Sequence, residues 1–251
     1  MNKIVLITGA TSGFGEACAR QFAAGGYRLI ITGRRKEKLE ALQQELKTEV
    51  LPLVFDVQDK DAVFTAIAGL PAAWKDIDIL VNNAGLALGR DFFHEASLDD
   101  WETMLDTNVK GLLYVSKAVV PLMVARKSGH IINLGSIAGK EVYEKGNVYC
   151  ASKYAVDAIS KAMRIDLLQH RIKVTAIHPG AADTEFSKVR FKGDIDQAQK
   201  IYEGYTPLRA EDVADTIYYC ASLPAHVCIN EVNITCLAQA NSFYYNRSGN
   251  A

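Results

Sequence analysis

Short apolar runs alternate with amphipathic stretches along almost the whole chain, and this alternation predicts the fold. The apolar runs are rich in β-branched residues, which is typical of strands buried on both faces of a parallel sheet. The stretches between them carry apolar residues at helical spacing. The pattern predicts strands near residues 3–8, 28–32, 50–55, 78–81, 129–134, 172–177 and 231–235.

Strands that alternate with helices form parallel sheets, and their right-handed crossovers place helices on both faces. We therefore expect an α/β fold, a doubly wound parallel sheet of the Rossmann type. No Pro- or Ser-rich linker, repeat or low-complexity tract interrupts the 251 residues, so the sequence predicts a single domain over residues 1–251. A hydrophobic fraction of 49% supports a large core.

The first strand runs directly into a glycine-rich loop that predicts a phosphate-binding turn. Gly9, Gly13 and Gly15 are followed by an amphipathic stretch over residues 16–25. Glycines permit a tight turn and a close approach of the backbone to a pyrophosphate, and a helix N-terminus adds unpaired N–H groups. The spacing is T-G-x-x-x-G-x-G rather than G-x-G-x-x-G. For the loop alone, a plain glycine turn between strand and helix is the alternative interpretation.

Two arginines, Arg34 and Arg35, follow the second predicted strand, where dinucleotide-binding folds contact the adenosine ribose. An acid at this place would accept a hydrogen bond from the 2′-hydroxyl of NAD, whereas guanidinium groups match a 2′-phosphate. The sequence therefore predicts NADP(H) as the cofactor. The alternative is that both arginines only begin the solvated helix over residues 35–46, which carries its own acids.

A tyrosine and a lysine at helical spacing provide candidate catalytic groups. Tyr149 and Lys153 share a face if residues 149–169 are helical, which places an ammonium beside a phenol. A neighbouring cation favours the phenolate, so we expect it to lower the tyrosine pKa toward neutrality, where the phenol can exchange a proton with a substrate oxygen. Such a pair is common on exposed helices. Ser136, which follows a predicted strand, makes the catalytic interpretation more specific.

Charge and composition argue against several other classes of protein. The 28 basic and 29 acidic residues give a net charge of −1, so nothing favours a nucleic-acid backbone or an anionic membrane surface. The 5 cysteines show no C-x-x-C motif and suit a reducing compartment, so we expect a cytoplasmic protein. No apolar run reaches the ~18 residues of a membrane helix. The 5 histidines indicate no ligand cluster, so we expect no catalytic metal.

Together these residues resemble the short-chain dehydrogenase/reductase family, and the resemblance covers nearly the whole chain. The family's motifs appear in order as Thr8-Gly9-x-x-x-Gly13-x-Gly15, Asp56-Val57, Asn82-Asn83-Ala84-Gly85, Asn108, Ser136, Tyr149-x-x-x-Lys153, and Pro179-Gly180 with Thr184. The resemblance implies a catalytic tetrad of Asn108, Ser136, Tyr149 and Lys153. In that tetrad Asn108 lies at a helix kink whose carbonyl holds a water for proton relay from Lys153.

The resemblance also implies the cofactor site. Its residues are Thr8, Gly9, Ser12, Gly13, Phe14, Gly15, Arg34, Arg35, Asp56, Val57, Asn83, Ala84, Gly85, Tyr149, Lys153, Pro179, Gly180 and Thr184. Asp56 is expected near the adenine, and Asn83 beneath the loop that supports the cofactor. Thr184 is expected near the carboxamide or diphosphate, and Lys153 on the nicotinamide ribose.

Within the family the chain is similar to NADP-dependent 3-hydroxy acid dehydrogenases that also oxidise serine, and to sulfoacetaldehyde reductases. The supporting stretches are residues 83–89, 146–149, 184–187, 190–194 and 223–227. This similarity implies reversible reduction by NADPH of a small anionic aldehyde, of the malonic semialdehyde or sulfoacetaldehyde type. It also implies a homotetramer held mainly by helices near residues 99–126 and 149–168. A reductase of bulkier ketones or acyl-carrier thioesters, and a non-catalytic NADP(H)-binding sensor, are the alternatives.

The predicted substrate site combines Ser136 and Tyr149 with Tyr143, Asn147 and Arg190. In an extended conformation, the alternating cations at positions 188, 190 and 192 would share one face and meet an anionic substrate. Arg190 is the candidate ligand, because a planar guanidinium forms two parallel bonds to a carboxylate or sulfonate. A solvated loop is the alternative. Residues 140–145 carry more charge than the hydroxy acid pattern has. The aromatic tail, residues 243–247, is expected at a subunit contact, and a frayed chain end is the alternative.

Overall fold

A parallel sheet of seven strands organises the computed structural model, which describes residues 3–194, 196 and 200–248. Its order is β3-β2-β1-β4-β5-β6-β7, and every neighbouring pair is parallel. The strands are β1 Ile4–Ile7, β2 Arg28–Gly33, β3 Val50–Val54, β4 Ile77–Asn82, β5 Gly129–Leu134, β6 Ile172–Pro179 and β7 Glu231–Ile234. The predicted fold class, a doubly wound parallel α/β sheet, is confirmed.

Helices cover both faces of the sheet. The α-helices of the described residues are α1 Gly13–Ala24, α2 Lys36–Glu45, α3 Lys60–Ala68, α4 Leu98–Leu105, α5 Leu112–Arg126, α6 Asn147–Asp166, α7 Glu185–Arg190 and α8 Ala210–Ser222. A π-helical turn, Asp106–Gly111, joins α4 to α5, and short 3-10 turns cover Ala72–Trp74, Ile137–Gly139 and Leu168–His170.

Side chains of β1 show why the central strands read as continuous apolar runs. Val5 and Ile7 belong to the core beneath α1 and α8, whereas Ile4 and Leu6 belong to the core beneath α3 and α5. Successive side chains of a strand point to opposite faces, so a strand covered on both sides needs apolar residues at every position. Each fully buried Leu or Ile contributes roughly 1.5–3 kcal/mol, which pins the strand at the centre of the sheet.

The chain reverses its winding direction between β1 and β4, and this opens a crevice at their carboxyl ends. Thr8 joins the two strand ends there. Its N–H donates to the Val81 carbonyl at 3.0 Å, and its hydroxyl accepts from the N–H groups of Asn83 and Ala84, each at 3.0 Å. The loops that leave β1 and β4 are therefore held side by side around the crevice.

One continuous helical stretch, Leu98–Arg126, is long and apolar enough by length and composition to cross a membrane. This qualifies the expectation that the chain has no stretch of that kind. Buried core helices pass the same test, and Val115, Val119 and Met123 of this stretch pack in the core against the sheet.

Candidate active site

A cavity of about 310 Å³ occupies the crevice and gathers most of the predicted cofactor residues. Its lining includes Gly9, Ser12, Gly13, Phe14, Arg34, Arg35, Asp56, Val57, Asn83, Ala84, Gly85, Tyr149, Lys153 and Thr184. Pro179 and Gly180 line the adjoining cavity instead, together with Thr184, which faces both. Thr8 and Gly15 support the glycine loop from beneath.

The glycine loop is tightly packed against the loop that follows β4. A Cβ on Gly15 would lie 2.3 Å from the Gly9 carbonyl oxygen and 2.5 Å from Nδ2 of Asn83, so no larger residue fits. Gly9 itself has φ +67°, a conformation that favours glycine. Nδ2 of Asn83 donates to the carbonyls of Thr8, at 2.8 Å, and Gly9, at 3.2 Å. Asn83 therefore lies beneath the loop, where it was expected.

The N-terminus of α1 faces this cavity and suits a pyrophosphate. The first N–H groups of a helix have no intrahelical partner, and the Ser12 side chain at the N-cap does not bond to them. Gly13, with φ +53°, and Phe14 open the helix and line the cavity. Unpaired N–H groups and a positive dipole end together favour an anion, so these residues fit a dinucleotide diphosphate.

Each of the two arginines after β2 is paired with a carboxylate from another part of the chain. NH1 of Arg34 lies 3.3 Å from Oδ2 of Asp56, and NH1 of Arg35 lies 3.1 Å from Oε2 of Glu185. Lys38 contacts the other oxygen of Glu185 at 3.2 Å. Sequence reasoning missed Lys38 and Glu185. The lysine could have been found one turn beyond Arg35, but nothing local signals an acid from α7.

Arg35 is further fixed by Thr11 in the glycine loop. Its Nε and NH2 both donate to the threonine hydroxyl, at 3.1 and 2.9 Å, and NH2 also donates to the threonine carbonyl at 3.1 Å. These bonds orient the guanidinium plane before any ligand arrives. The site therefore has an ordered cation at the position predicted for a 2′-phosphate.

The predicted catalytic tyrosine, lysine and serine come together between α6 and the end of β5. Tyr149 and Lys153 are both buried on one face of α6, and the lysine Nζ donates to the Leu134 carbonyl at 2.8 Å. Ser136 begins the 3-10 turn after β5, where its hydroxyl accepts from the Ala138 N–H at 3.1 Å. The Ser136 side chain is also close enough to the Tyr149 phenol to lower the pKa of that phenol.

Burial controls the acidity of the two catalytic candidates on α6. It raises the pKa of Tyr149 well above its ordinary value, with Tyr143 acting in the same direction, while the Ser136 side chain and the charge of Arg190 lower it without offsetting burial. Burial also lowers the pKa of Lys153 to about 8. The expected lowering of the tyrosine pKa is therefore wrong for these side chains alone, because both charged forms lose solvation in the same place.

Asn108 lies in the π-helical turn between α4 and α5, which is the kink that was expected at this residue. Its side-chain amide forms two hydrogen bonds with the backbone of Leu86: Oδ1 accepts from the Leu86 N–H and Nδ2 donates to the Leu86 carbonyl, both at 2.8 Å. Nδ2 also donates to the hydroxyl of Ser152 on α6 at 3.0 Å. Asn108 thus ties the loop under the cofactor cavity to the helix that carries the catalytic pair.

A second cavity, of about 220 Å³, adjoins the first at Tyr149 and contains the predicted substrate residues Ser136, Tyr143 and Arg190. NH1 of Arg190 donates to the Tyr143 hydroxyl at 3.0 Å, and Nε donates to the Gly89 carbonyl at 3.3 Å. The guanidinium carbon lies 5.4 Å from the centre of the Tyr149 ring. A cation that donates to two neutral oxygens therefore lies next to the candidate proton donor.

Comparison with known proteins decides the family. The model of the short chain dehydrogenase family matches residues 3–194. The chain belongs to this family. The NADP-dependent 3-hydroxy acid dehydrogenase YdfG of Salmonella typhi is 52% identical over 238 residues, which are 94% of this chain and 96% of that protein. Sulfoacetaldehyde reductase 2 of Chromohalobacter salexigens is 47% identical over 247 residues, 97% of this chain and 98% of that protein.

A solved structure described as the closed form of serine dehydrogenase complexed with NADP+ superposes on this short-chain dehydrogenase with a TM-score of 0.93. The two are 49% identical, and the match covers 95% of this chain and 97% of the other. The predicted membership of the short-chain dehydrogenase/reductase family is therefore confirmed.

Two expectations for the substrate site are wrong in this short-chain dehydrogenase. Residues 185–190 form helix α7 rather than an extended segment, and Lys192 pairs with Asp100 at 2.9 Å instead of facing the substrate. The side chain of Lys188 lies outside the described part of the structure. Asn147 does not line the cavity among the described residues, because its amide bonds to Nε1 of Trp101 at 3.1 Å and to the Asp91 carbonyl at 3.2 Å.

The charged segment 140–145 anchors the catalytic turn. Nζ of Lys140 lies 2.7 Å from a carboxylate oxygen of Asp157 and 2.7 Å from one of Glu231. These two acids and His178 form a group that could hold a metal ion, which the sequence did not indicate. The Lys140 ammonium contacts both carboxylates, and Nζ of Lys161 lies 2.7 Å from the other oxygen of Asp157, so two cations balance the two acids. The charge of Lys140 in this segment is thus paired with acids inside the protein.

The C-terminal segment folds back as a hairpin, residues 238–246, over the second cavity. The Asn246 N–H donates to the Ala238 carbonyl at 2.8 Å, and Tyr245 and Arg247 line the cavity. The tail was expected at a subunit contact; in its own chain it also forms part of the pocket wall, which the sequence did not indicate. Phe243 and Tyr244 at its tip are 60% and 74% exposed.

Proposed function

We propose that this protein catalyses the reversible reduction by NADPH of a small aldehyde that carries a carboxylate or a sulfonate, giving a hydroxy acid or a hydroxysulfonate. The observation that carries the proposal is the placement of Arg190 in the same cavity as Ser136 and Tyr149, with its guanidinium 5.4 Å from the Tyr149 ring. A small substrate held there would have its anion on the arginine while its carbonyl oxygen meets the serine and tyrosine hydroxyls.

The reaction class and the cofactor rest on the family. The protein is an oxidoreductase that acts on CH–OH groups and uses NADP, in agreement with the cofactor predicted from Arg34 and Arg35. Bound at the first cavity, NADP(H) supplies or accepts a hydride at C4 of its nicotinamide ring. The glycine loop, the two arginines, Asn83 and Lys153 are the residues that would hold it.

The protein's own groups manage the oxygen and the proton. Ser136 and Tyr149 donate hydrogen bonds to the substrate oxygen and stabilise negative charge that develops there. Tyr149 then transfers its phenolic proton to that oxygen, and in the reverse direction takes the proton from the alcohol. The elevated pKa of Tyr149 keeps the phenol protonated at neutral pH, as a donor must be. Lys153 and Asn108 are proposed to complete the proton path and to orient the site.

Substrate charge can be tested by NADPH consumption with malonic semialdehyde, sulfoacetaldehyde and a neutral aldehyde of equal size. We expect Arg190→Ala to lower kcat/KM for anionic aldehydes by about 30- to 1000-fold, because a charged hydrogen bond in a pocket is worth about 2–4 kcal/mol of transition-state binding. Lys192→Ala is the matched control, since Lys192 pairs with Asp100 outside the cavity. If Arg190→Ala lowers kcat/KM for the neutral aldehyde by the same factor, Arg190 does not bind the substrate anion.

We further propose that the protein is a cytoplasmic homotetramer. Apolar side chains are exposed on the helices expected at the main contact, including Leu98 at 67% and Leu113 at 40% on one side and Ile165 at 76% on α6. The 5 cysteines are free, which suits a reducing compartment. Light scattering is expected to give the mass of a tetramer. A monomeric mass would contradict the assembly, and recovery in a secreted fraction would contradict the location.

A further inference from the structure

The substrate cavity carries more positive charge than one small anion requires. Arg90, Arg190 and Arg247 all line it, and the described lining residues include no Asp or Glu. Within the described part of the chain, the hydrogen bonds of Arg190 go to neutral oxygens, the Tyr143 hydroxyl and the Gly89 carbonyl. A cavity with several guanidinium groups and no carboxylate in its wall is short of negative charge, which a ligand can supply.

The arginines fall into an inner and an outer position. Arg190 lies beside the rings of Tyr143 and Tyr149, at the reacting end of the cavity. Arg247 lies on the C-terminal side, where its guanidinium carbon is 5.3 Å from the centre of the Tyr245 ring. Burial raises the pKa of Tyr245, and the charges of Arg247 and Arg90 both act to lower it, so both cations lie near this phenol.

The outer position belongs to a fixed wall rather than to a loose tail. Buried Gln239 accepts from the Ala181 N–H at 2.8 Å and donates to the Tyr245 hydroxyl at 2.6 Å. The Ser242 N–H donates to Oε2 of Glu141, in the segment after the catalytic turn, at 2.8 Å. NH1 of Arg247 donates to the Glu203 carbonyl at 2.7 Å. These bonds hold the hairpin, and with it the outer cation, against the cavity.

We propose that the cavity accepts an aldehyde bearing two carboxylates, with the inner carboxylate on Arg190 and the outer one at a second subsite formed by Arg247 and Arg90 beside Tyr245. This proposal deepens the proposed function and rests on it, because Arg190 is taken to hold the first anion. Arg247 and Arg90 are exposed at the mouth, so the outer subsite admits a ligand that extends toward solvent. Its contribution should fall as salt screens the charges.

Binding of unreactive carboxylates tests the second subsite without relying on turnover. The NADP+-saturated protein is titrated calorimetrically with succinate, glutarate and adipate, each against the monocarboxylate of the same chain length. We expect at least one dicarboxylate to bind about 10-fold more tightly than its partner, the lower range for a hydrogen bond between charged groups. Arg247→Ala should reduce that ratio to about 3-fold or less, and raising the salt to about 0.5 M should narrow it in the unmutated protein.

Three controls separate the possible failures. Lys145→Ala should leave the ratio unchanged, because Lys145 lies over the Phe92 ring and does not line the cavity among the described residues. Arg247→Gln and Arg90→Ala give independent reductions if Arg247→Ala disturbs the hairpin. Equal binding of mono- and dicarboxylates, with both lost in Arg190→Ala, would overturn the second subsite alone. Monocarboxylate binding that does not depend on Arg190 would instead contradict the proposed function.

Discussion

Replacing Glu185 with Gln is expected to tighten the binding of NADPH and to leave that of NADH nearly unchanged. At the predicted 2′-phosphate position, the cations Arg34, Arg35 and Lys38 face the carboxylates of Asp56 and Glu185. Burial raises the pKa of Glu185, but its hydrogen bonds with Lys38 and Arg35 lower that pKa by a larger amount. The net pKa is below the ordinary value, so this carboxyl is ionised at neutral pH. A 2′-phosphate must therefore compete with Glu185 for the same two cations.

The size of the effect follows from the exposure of the ion pairs. The side chains of Arg35 and Glu185 are both 43% exposed, and exposed pairs contribute roughly 0.2–1 kcal/mol each. Glu185 forms two such pairs, with Arg35 and Lys38. When a 2′-phosphate displaces Glu185, its own bonds to these cations replace part of the lost pairing energy. We expect NADPH to bind about 2- to 10-fold more tightly to Glu185→Gln at low salt, and the gain to shrink as salt is added.

Arg35→Ala should act in the opposite direction. It removes a charged donor that Thr11 already orients, and a hydrogen bond to a charged group is worth roughly 1.5–3 kcal/mol, so NADPH affinity should fall by about 10- to 100-fold. In the Arg35→Ala background, Glu185→Gln should lose much of its effect, because one of its two partners is already gone. This double-mutant cycle separates the competition between Glu185 and the 2′-phosphate for Arg35 from any general loosening of the site.

Fluorescence titration of NADPH and NADH provides the assay, and the ratio of the two dissociation constants is the quantity compared. Glu185 also links α7 to α2, and a loosened α7 would change both constants together, so the ratio cancels that contribution. Glu40→Gln is the matched control, since Glu40 pairs with Lys36 at 3.7 Å on α2 and does not line the cavity among the described residues. Weaker NADPH binding, or an equal gain for NADH, would refute the reasoning.

Two further outcomes follow from buried groups. Tyr149→Phe should lower turnover by about 10²- to 10⁴-fold and leave NADPH affinity within a few-fold; retained activity above about a tenth would assign the acid elsewhere. Burial, with Lys173 and Lys3 nearby, lowers the pKa of His130 to about 3. The unfolded chain therefore takes up this proton first, and stability should fall as pH drops from about 6.5 toward 3, by about 3 kcal/mol at pH 4.5. Urea unfolding should show a smaller loss in His130→Gln; an unchanged pH dependence would contradict this.

Much of the fold could be predicted because the pattern of the sequence and the burial in the structure have the same cause. The strands of a central parallel sheet must be apolar on both faces, and the predicted strand ends lie within about two residues of the observed ones. The cofactor cavity was equally accessible, since its residues follow strand ends and a sheet brings those ends to one edge. Gly15 could be identified from spacing because only a residue without Cβ fits against Gly9.

What the sequence could not provide are contacts between distant segments that no local pattern marks. Glu185 reaches Arg35 from 150 residues away, and Lys140 meets acids that stand on α6 and β7. The hairpin that carries Arg247 looked like an aromatic tail, because the groups that hold it, such as the Ala181 N–H bonded to Gln239 and the Glu141 carboxylate bonded to Ser242, come from distant parts of the chain. In each case a side chain pairs across the tertiary structure, and its partner is fixed only once the sheet has assembled.

The spacing of Tyr149 and Lys153 correctly placed the two side chains on one helical face but gave the wrong sign for the tyrosine pKa. A cation lowers the tyrosine pKa only while the cation itself stays charged. Here burial also disfavours the charged form of Lys153, whose pKa falls to about 8. Both groups therefore favour their neutral forms more than they would in water, and the phenol keeps its proton. That state is already correct for reduction, in which the tyrosine donates. Oxidation needs the same oxygen as a base, so a group that stabilises the phenolate would favour the protonation state from which oxidation begins.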